Sequence, residues 1–224
     1  PAEISRIELS DLVLNVAHWG AEIAELDWLT PPPERFIAQA KTLLTDLDLL
    51  DNKGQISPHG EQASQLGMSP RFAHMLLNAA SKQNLNDACL LAALLTDTPK
   101  ALRNNDDLSS LLQQVKAQPK SFNSIYRQAQ AWGKKISSDH HKKPTHSPSY
   151  KANIPQLLAL AFPDRIAQRR ASSAHTSAQN SIQNSGQQYL LSAGRGAQLY
   201  GSSSLSREDW LIVTDIEDNL QGSS

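Results

Sequence analysis

The feature that most constrains the fold of this chain is the stretch from Pro31 to Gly60. After three prolines, apolar residues recur at the spacing of one helix face: Phe36, Ile37, Ala40, Leu43, Leu44 and Leu47. Leu49-Leu50 and Gln55-Ile56 then flank a polar Asp51–Gly54 turn, which predicts a short β-hairpin. Ser57-Pro58 supplies an N-cap and a first-turn proline for the next helix. A helix, a hairpin and a further helix in this order predict a winged helix, which by itself names no function.

Other apolar segments with helical spacing precede and follow this stretch. The first helix is expected to end near Gly20, since glycine suits the position after a helix. Ser69 and Pro70 predict a cap and first turn for another helix, and a later helix must end before Pro99. From Leu66 to about Gly133 we therefore expect a helical bundle with short loops.

The pattern changes towards the C-terminus, where short strand-like runs are separated by glycine and serine. These runs are Tyr189–Leu191, Ala197–Leu199 and Trp210–Val213. The predicted fold is mainly α: a winged-helix domain (1–66), a helical domain (67–163) with a linker at about 137–151, and the start of a β-rich domain (164–224). We expect that last domain to be incomplete, with an OB-like fold as one candidate, and to carry a mobile loop at 171–187.

Composition excludes several classes of protein. The formal net charge of the 224 residues is −1, which argues against a protein that coats nucleic acid by bulk electrostatics. The single cysteine, Cys89, rules out an intrachain disulfide framework and predicts a reducing, cytoplasmic location. No apolar run is long enough to predict a membrane span. Because the chain starts without methionine and ends just after a strand-like run, we expect it to be a piece of a longer protein.

Several segments of the chain together resemble a known family. The segments IELSDLVLNVAHWG, LDWLTPPP, LLTDLDLLDNKGQISPHG and LGMSPRFAHMLL follow one another between Arg6 and Leu77. This series resembles the region after the second motor domain of DEAH-box RNA helicases. LLALAFPDRIAQRR at Leu157–Arg170, with YLLSAGRGAQL and EDWLIVTDIED after it, is similar to the C-terminal domain of the bacterial HrpB-type members.

The resemblance implies a winged helix followed by a helicase-associated (ratchet) domain. It also implies that the chain closes part of a nucleic-acid channel and couples to RecA-like motor domains of the same protein. The expected partners are single-stranded RNA, or DNA, and those motor domains, with no membrane. No GxxxxGK[ST] loop or Asp-Glu-Ala-His box is present. ATP and Mg²⁺ are therefore implied for the motor domains, and we expect no cofactor and no catalytic residue in this chain.

Five arginines are the candidate nucleic-acid contacts: Arg71, Arg165, Arg169, Arg170 and Arg195. The segment from Lys134 to Arg170 contains eight Lys or Arg residues and only two acidic residues. This segment is either a surface that tracks phosphates or a solvated linker with a charged helix end. Arg71 opens a helix, where a phosphate or an acidic residue of the fold are the two candidate partners. Arg165 either contacts nucleic acid or pairs with Asp164. Arg195 lies between two glycines that suit either a phosphate approach or a hairpin turn.

The remaining candidates favour structural roles. His140, His141 and His146 lie in the predicted linker without the spacing of a metal site, so no metal is expected. Cys89 is predicted to be a buried small hydrophobe, and Trp19, Trp28 and Trp132 are predicted core residues. The alternative function is a free-standing winged-helix regulatory module that binds nucleic acid or protein without a motor. The central helix, which mixes two cations with three acids, is poorly suited to a DNA groove.

Overall fold

The computed structural model describes residues 8–79, 82–102, 105–139, 152–170, 187–199 and 203–215. Within these ranges the chain forms eight α-helices and one four-stranded antiparallel sheet, so the predicted mainly α class with a small β region is confirmed. The helices are α1 (Ser10–His18), α2 (Glu34–Asp46), α3 (Pro58–Ser64), α4 (Pro70–Leu77), α5 (Lys82–Thr96), α6 (Leu108–Ala117), α7 (Asn123–Asp139) and α8 (Ile154–Ala161).

The predicted hairpin after α2 has fewer paired residues than the sequence suggested. Only one antiparallel bridge forms, between Leu50 and Ile56. The turn between them is held by Asp51, whose carboxylate accepts hydrogen bonds from the backbone N–H of Lys53 (2.8 Å) and Gln55 (2.9 Å). The side chain of Asp51 therefore adds to the backbone hydrogen bonds of the turn, in which the N–H of Asp51 donates to the carbonyl of Gln55 (2.8 Å).

Two helix starts carry the predicted serine and proline, but only one serine caps its helix. Ser57 accepts a hydrogen bond from the backbone N–H of Gly60 (2.9 Å) at the start of α3. Ser69 makes no such bond at the start of α4, where Pro70 still occupies the first turn. The cap predicted for Ser69 is therefore wrong, although the helix starts at the predicted place.

The helices share one hydrophobic core that runs from Leu9 to Phe162. Trp132 and Cys89 belong to it, and Trp28 packs against it and donates a hydrogen bond to the carbonyl of Ile23 (2.8 Å). Trp19 does not, since its exposed fraction is 74%. The prediction that Trp19 is a core residue was wrong, because α1 ends at His18 and the next residue is left in solvent.

The C-terminal sheet has the strand order β3-β2-β1-β4, with every neighbouring pair antiparallel. Its strands are β1 (Ile166–Arg169), β2 (Gln187–Leu191), β3 (Gly196–Leu199) and β4 (Trp210–Ile212). One face has a small core of its own around Ala167, Tyr189 and Leu191. An OB-like barrel needs a fifth strand, and the residues described here form four.

Two predicted segments are covered only in part. The predicted linker starts at 137, but α7 continues to Asp139, and residues 140–151 lie outside the described residues. The predicted loop lies outside them as well, except for Gln187, which begins β2. No helix in the described ranges has the length and apolar character needed to cross a membrane.

Candidate nucleic-acid interface

Arg71 lies at the start of α4, where that helix packs against α8. Its exposed fraction is 5%, and its guanidinium lies over the ring of Phe162 at 5.2 Å. A buried guanidinium stays charged, so its N–H groups must find acceptors inside the protein.

All five N–H donors of Arg71 are used within the fold. Nε and Nη2 donate side-on to the two carboxylate oxygens of Glu8, at 3.0 Å each. Nη1 and Nη2 donate end-on to Asp164, at 2.6 Å and 2.9 Å. Nη1 also donates to the carbonyl of Ala161, at 3.1 Å. Arg71 therefore has acidic residues as partners, one of the two alternatives that the sequence left open.

Arg165 joins the same group of charges. Its Nη2 donates to Glu8 (2.9 Å) and its Nη1 to the backbone carbonyl of Thr214 (3.0 Å). Asp164 approaches Arg165 only at 3.7 Å, so the closest partner of Asp164 is Arg71. We call Glu8, Arg71, Asp164 and Arg165 the arginine–carboxylate cluster.

The electrostatics of the cluster favour its charged form. Burial raises the pKa of the Glu8 carboxyl, but hydrogen bonds and charge from Arg71, with Ser10 and Arg165, outweigh it, and the pKa lies below its ordinary value. The pKa of Asp164 is lowered in the same way, against the effect of burial, by Arg71 and Arg165. Burial lowers the pKa of Arg71, but the two carboxylates raise it overall. Two cations and two anions thus compensate one another.

The cluster joins parts of the chain that are distant in sequence. Glu8 precedes α1, Arg71 begins α4, Asp164 and Arg165 connect α8 to β1, and Thr214 follows β4. The sheet is therefore tied to the helical core by charged hydrogen bonds. Glu8 was not among the residues predicted from the sequence. The only sequence feature that pointed to such a residue was Arg71 itself, because an arginine in the first turn of a helix needs an anionic partner.

The other three candidate arginines are exposed on the sheet. Arg169 pairs with Asp209 (2.5 Å) across β1 and β4. Arg170 follows β1 and is exposed, and its backbone N–H donates to the carbonyl of Gln188 (2.9 Å). Arg195 lies in the β2–β3 turn, which Gly194 makes possible with a φ of +81°. The turn follows Leu191, whereas Arg169 pairs with Tyr189 in the middle of β2 and Arg170 bonds to Gln188 beyond it, so Arg195 lies apart from the other two along the strand.

An open cleft of about 850 Å³ lies between α2 and the turn-bearing end of the sheet. Its charged lining residues are Glu8, Asp46, Arg71, Asp164, Arg165, Arg195 and Asp215. Four acids face three arginines there, and two of those arginines are occupied by the cluster. The lining therefore lacks the excess of cations that a phosphate-tracking groove needs.

In the described residues, neither the cysteine nor a metal-binding cluster provides a reactive centre. Burial raises the pKa of the Cys89 thiol to about 12, which leaves it protonated and unreactive. Within the same ranges, no group of three or more His, Cys, Asp or Glu side chains is placed to hold a metal ion. His140, His141 and His146, for which no metal was expected, lie outside the described residues.

The chain is similar in sequence to known helicases, although no family model matches it. It is 30% identical over 99% of its length to "ATP-dependent RNA helicase HrpB" of Escherichia coli strain K12 and covers 24% of that protein. It is 35% identical over 39% of its length to "Probable ATP-dependent RNA helicase DHR1" of Saccharomyces cerevisiae and covers 7% of it.

The fold agrees with the sequence similarity. The crystal structure of the E. coli DExH-box NTPase HrpB aligns with 95% of this chain at 30% identity and a TM-score of 0.71. A second crystal structure, of the Escherichia coli DEAH/RHA helicase HrpB, aligns with 94% of the chain at the same TM-score. In both structures the match covers 23% of the solved chain, so this chain spans about a quarter of the relatives it matches.

Proposed function

Because this chain matches the C-terminal region of HrpB-type RNA helicases over almost its whole length, we propose that it is the accessory region of such a helicase. In this role it forms part of the nucleic-acid channel and couples to RecA-like motor domains. The observation that carries the proposal is the agreement of sequence and fold along 95% of the chain. The rival function, a free-standing winged-helix regulator, has no comparable support.

The sequence lacks the motor motifs, so we assign ATP hydrolysis to the motor domains and an accessory role to this chain. ATP and Mg²⁺ belong to the motor domains, and this chain by itself neither binds nor hydrolyses ATP. The segment from α1 to α3 acts as the winged helix and the helices from α4 onward as the ratchet. Because one core runs through all these helices, they move against the motor as one body.

The proposed strand-facing residues are the exposed arginines of the sheet: Arg169, Arg170 and Arg195. A cation must reach a phosphate oxygen to contribute to binding, which requires an exposed side chain, and Arg169 meets this condition although it also pairs with Asp209. Arg71 is buried with its donors used inside the fold, and Arg165 is largely buried and engaged by Glu8 and Thr214. We therefore assign Arg71 and Arg165 to holding the sheet in place, so that they affect the strand only indirectly.

The test is fluorescence anisotropy of the chain with a labelled single-stranded RNA, at low and then near-physiological salt. Changing Arg169, Arg170 and Arg195 to Glu should abolish binding that is salt-sensitive and in the micromolar range. The matched control changes Lys53, Lys120 and Arg127 to Glu, because these exposed cations lie away from the sheet and carry the same total charge change. An equal loss of RNA affinity in both triple variants would show that only the total charge of the chain matters. If the unmodified chain does not bind RNA at low salt, the channel role is contradicted.

A further inference from the structure

One face of the sheet is open to solvent except where it meets the helices, and the composition of its exposed part is unusual for a surface. Side chains of directly paired residues point to the same face, and successive residues alternate between faces. The register therefore puts one set of residues on one face: Ile166, Gln168, Gln188, Leu190, Gly196, Gln198, Trp210 and Ile212. Ile166 and Ile212, at the end of the sheet nearest the helices, are partly buried, and Ile212 packs against the helical core, whereas the other six residues are exposed. The opposite face carries the small core around Tyr189.

Two large apolar side chains on this face are exposed. The exposed fraction is 61% for Trp210 and 38% for Leu190. Both pair with Gln168, so the three residues form one row across β4, β1 and β2. With strands spaced about 4.8 Å apart, the row places Trp210 and Leu190 roughly 10 Å apart. Within the described residues, no other aromatic ring stacks on the indole of Trp210.

The charge around the row is positive. Arg170 lies two residues beyond Gln168, and its backbone N–H continues the ladder to Gln188, so its side chain projects from the same face. None of the described strand positions on this face is acidic. Asp209, next to Trp210 in sequence, is paired with Arg169. The face therefore combines an indole, an arginine and amide side chains.

The size of the face argues against a protein partner. Four strands of three to five residues cover on the order of 250 Å² at ordinary strand dimensions. A stable protein–protein interface buries about 800 Å² on each partner. Three glutamines would also have to be desolvated there, whereas base edges can hydrogen-bond to amide groups.

We propose that this sheet face binds single-stranded RNA, with one base stacked on the indole of Trp210 and a neighbouring phosphate bound by Arg170. Stacking on an aromatic side chain tolerates any base, because each base has a π-face. Gln168 and Gln188 lie where their amides reach the edge of the stacked base or its neighbour. The inference rests on the proposed function, because it names the surface by which the accessory region holds the strand.

The experiment compares two exposed tryptophans. Anisotropy with a labelled oligouridine at low salt is measured for Trp210→Ala and for Trp19→Ala, since Trp19 is more exposed than Trp210 but lies after α1. Loss of one stacked base weakens binding about 5- to 150-fold in Trp210→Ala, and Trp19→Ala stays within about twofold of the unmodified chain. Arg170→Gln should weaken binding a few-fold and reduce the salt slope by about one.

A second measurement covers the case in which Trp210→Ala does not fold. RNA should quench tryptophan fluorescence in the unmodified chain and not in Trp210→Phe, which keeps an aromatic ring and binds within about threefold. Equal quenching in both proteins would overturn the proposal. So would a dimer in sedimentation that Trp210→Ala abolishes while RNA binding is unchanged, because the face would then hold a second copy.

The two proposals fail differently. If RNA binds and the triple arginine variant loses it, but Trp210→Ala behaves like Trp19→Ala, the stacking role is wrong and the channel role stands. If the unmodified chain does not bind RNA at low salt, both are wrong.

Discussion

At the residue scale, Arg71 bonds to three different residues, Glu8, Ala161 and Asp164. It binds two carboxylates in two different geometries, each with a pair of parallel hydrogen bonds. Lysine cannot reproduce this arrangement, because an ammonium group has no planar fork. The residue therefore matters to the fold through its shape as well as its charge.

Replacing Arg71 with Leu should destabilise the chain by about 3–5 kcal/mol, because Glu8 and Asp164 would be left partly buried without their main partner. Arg71→Lys should recover part of the loss. Chemical denaturation followed by circular dichroism measures the free energy of unfolding. Arg127→Ala is the control, since Arg127 is exposed on α7 and should change stability by less than about 0.5 kcal/mol. A loss below about 1 kcal/mol in Arg71→Leu would contradict the role given to the cluster.

His59 and His74 should make the free energy of unfolding depend on pH between about 6.5 and 4. Nε2 of His59 lies 3.0 Å from Nδ1 of His74, between α3 and α4. Burial, followed by the charge of His59, lowers the pKa of His74 to about 4, although a backbone hydrogen bond with Leu47 and the charge of Asp48 oppose the shift. Burial lowers the pKa of His59 as well, again against the charge of Asp48.

The folded chain thus keeps this pair neutral at a pH where the unfolded chain is protonated. Stability should be unaffected above pH 6.5 and should fall as the pH drops from 6.5 towards 4, by on the order of 2 kcal/mol. Denaturation at a series of pH values checks this, and His74→Gln should flatten that part of the curve. An unchanged slope in His74→Gln would assign the dependence to other groups.

At the scale of elements, the contact between α3 and the turn after α2 depends on Gly60. A Cβ on Gly60 would lie 2.1 Å from the carbonyl oxygen of Leu49, so α3 approaches the backbone more closely than any side chain permits. Leu49 is itself fully buried in the core. The path of the chain from α2 into α3 therefore depends on this one missing side chain.

Gly60→Ala should destabilise the chain by about 2 kcal/mol or more, because backbone would have to move. Gly133→Ala is the matched control in α7, where a Cβ would lie 3.8 Å from the sulfur of Cys89, an ordinary contact. That variant should be as stable as the original chain or up to about 1 kcal/mol more stable, since alanine favours a helix. Thermal melts of both variants test the contrast, and equal melting temperatures would refute it.

At the scale of the whole molecule, the arginine–carboxylate cluster connects two separate cores. The sheet meets the helices at Asp164 and Arg165, with Glu8 and Arg71 on the helical side, and also where Ile212 of β4 packs against the helical core. In an accessory region of a helicase, such a connection would transmit movement between helices and sheet. The cluster is therefore the proposed mechanical link, distinct from the exposed arginines that we assign to the strand.

Acid should loosen this link. The pKa values of Glu8 and Asp164 are lowered in the fold, so their contribution to stability is complete above about pH 4.5 and is lost as the pH falls below that value. The double variant Glu8→Gln, Asp164→Asn should be less stable at neutral pH and should lose less stability on acidification. Acid titration followed by near-ultraviolet circular dichroism compares the two proteins, and parallel acid curves would contradict the prediction.

Local pattern alone was enough to predict the mainly α class, the start of α4 and three of the four strands, because these depend on neighbours a few residues apart. The fourth strand, β1, was not predicted. Local pattern gave the wrong prediction at two residues: Ser69 makes no capping hydrogen bond, and the ring of Trp19 is exposed to solvent. The partners of Arg71 could not be assigned, since Glu8 and Asp164 lie 63 and 93 residues away along the chain.

Fold class, helix starts and family resemblance were thus determined by the sequence itself. Only the tertiary structure decided which arginines are buried in the cluster and which remain exposed. It also decided that Trp210 shares a face with Arg170, because strand register is set by pairing between distant segments. Charge along a sequence does not reveal burial, and burial determines whether a guanidinium bonds to its own protein or to a phosphate.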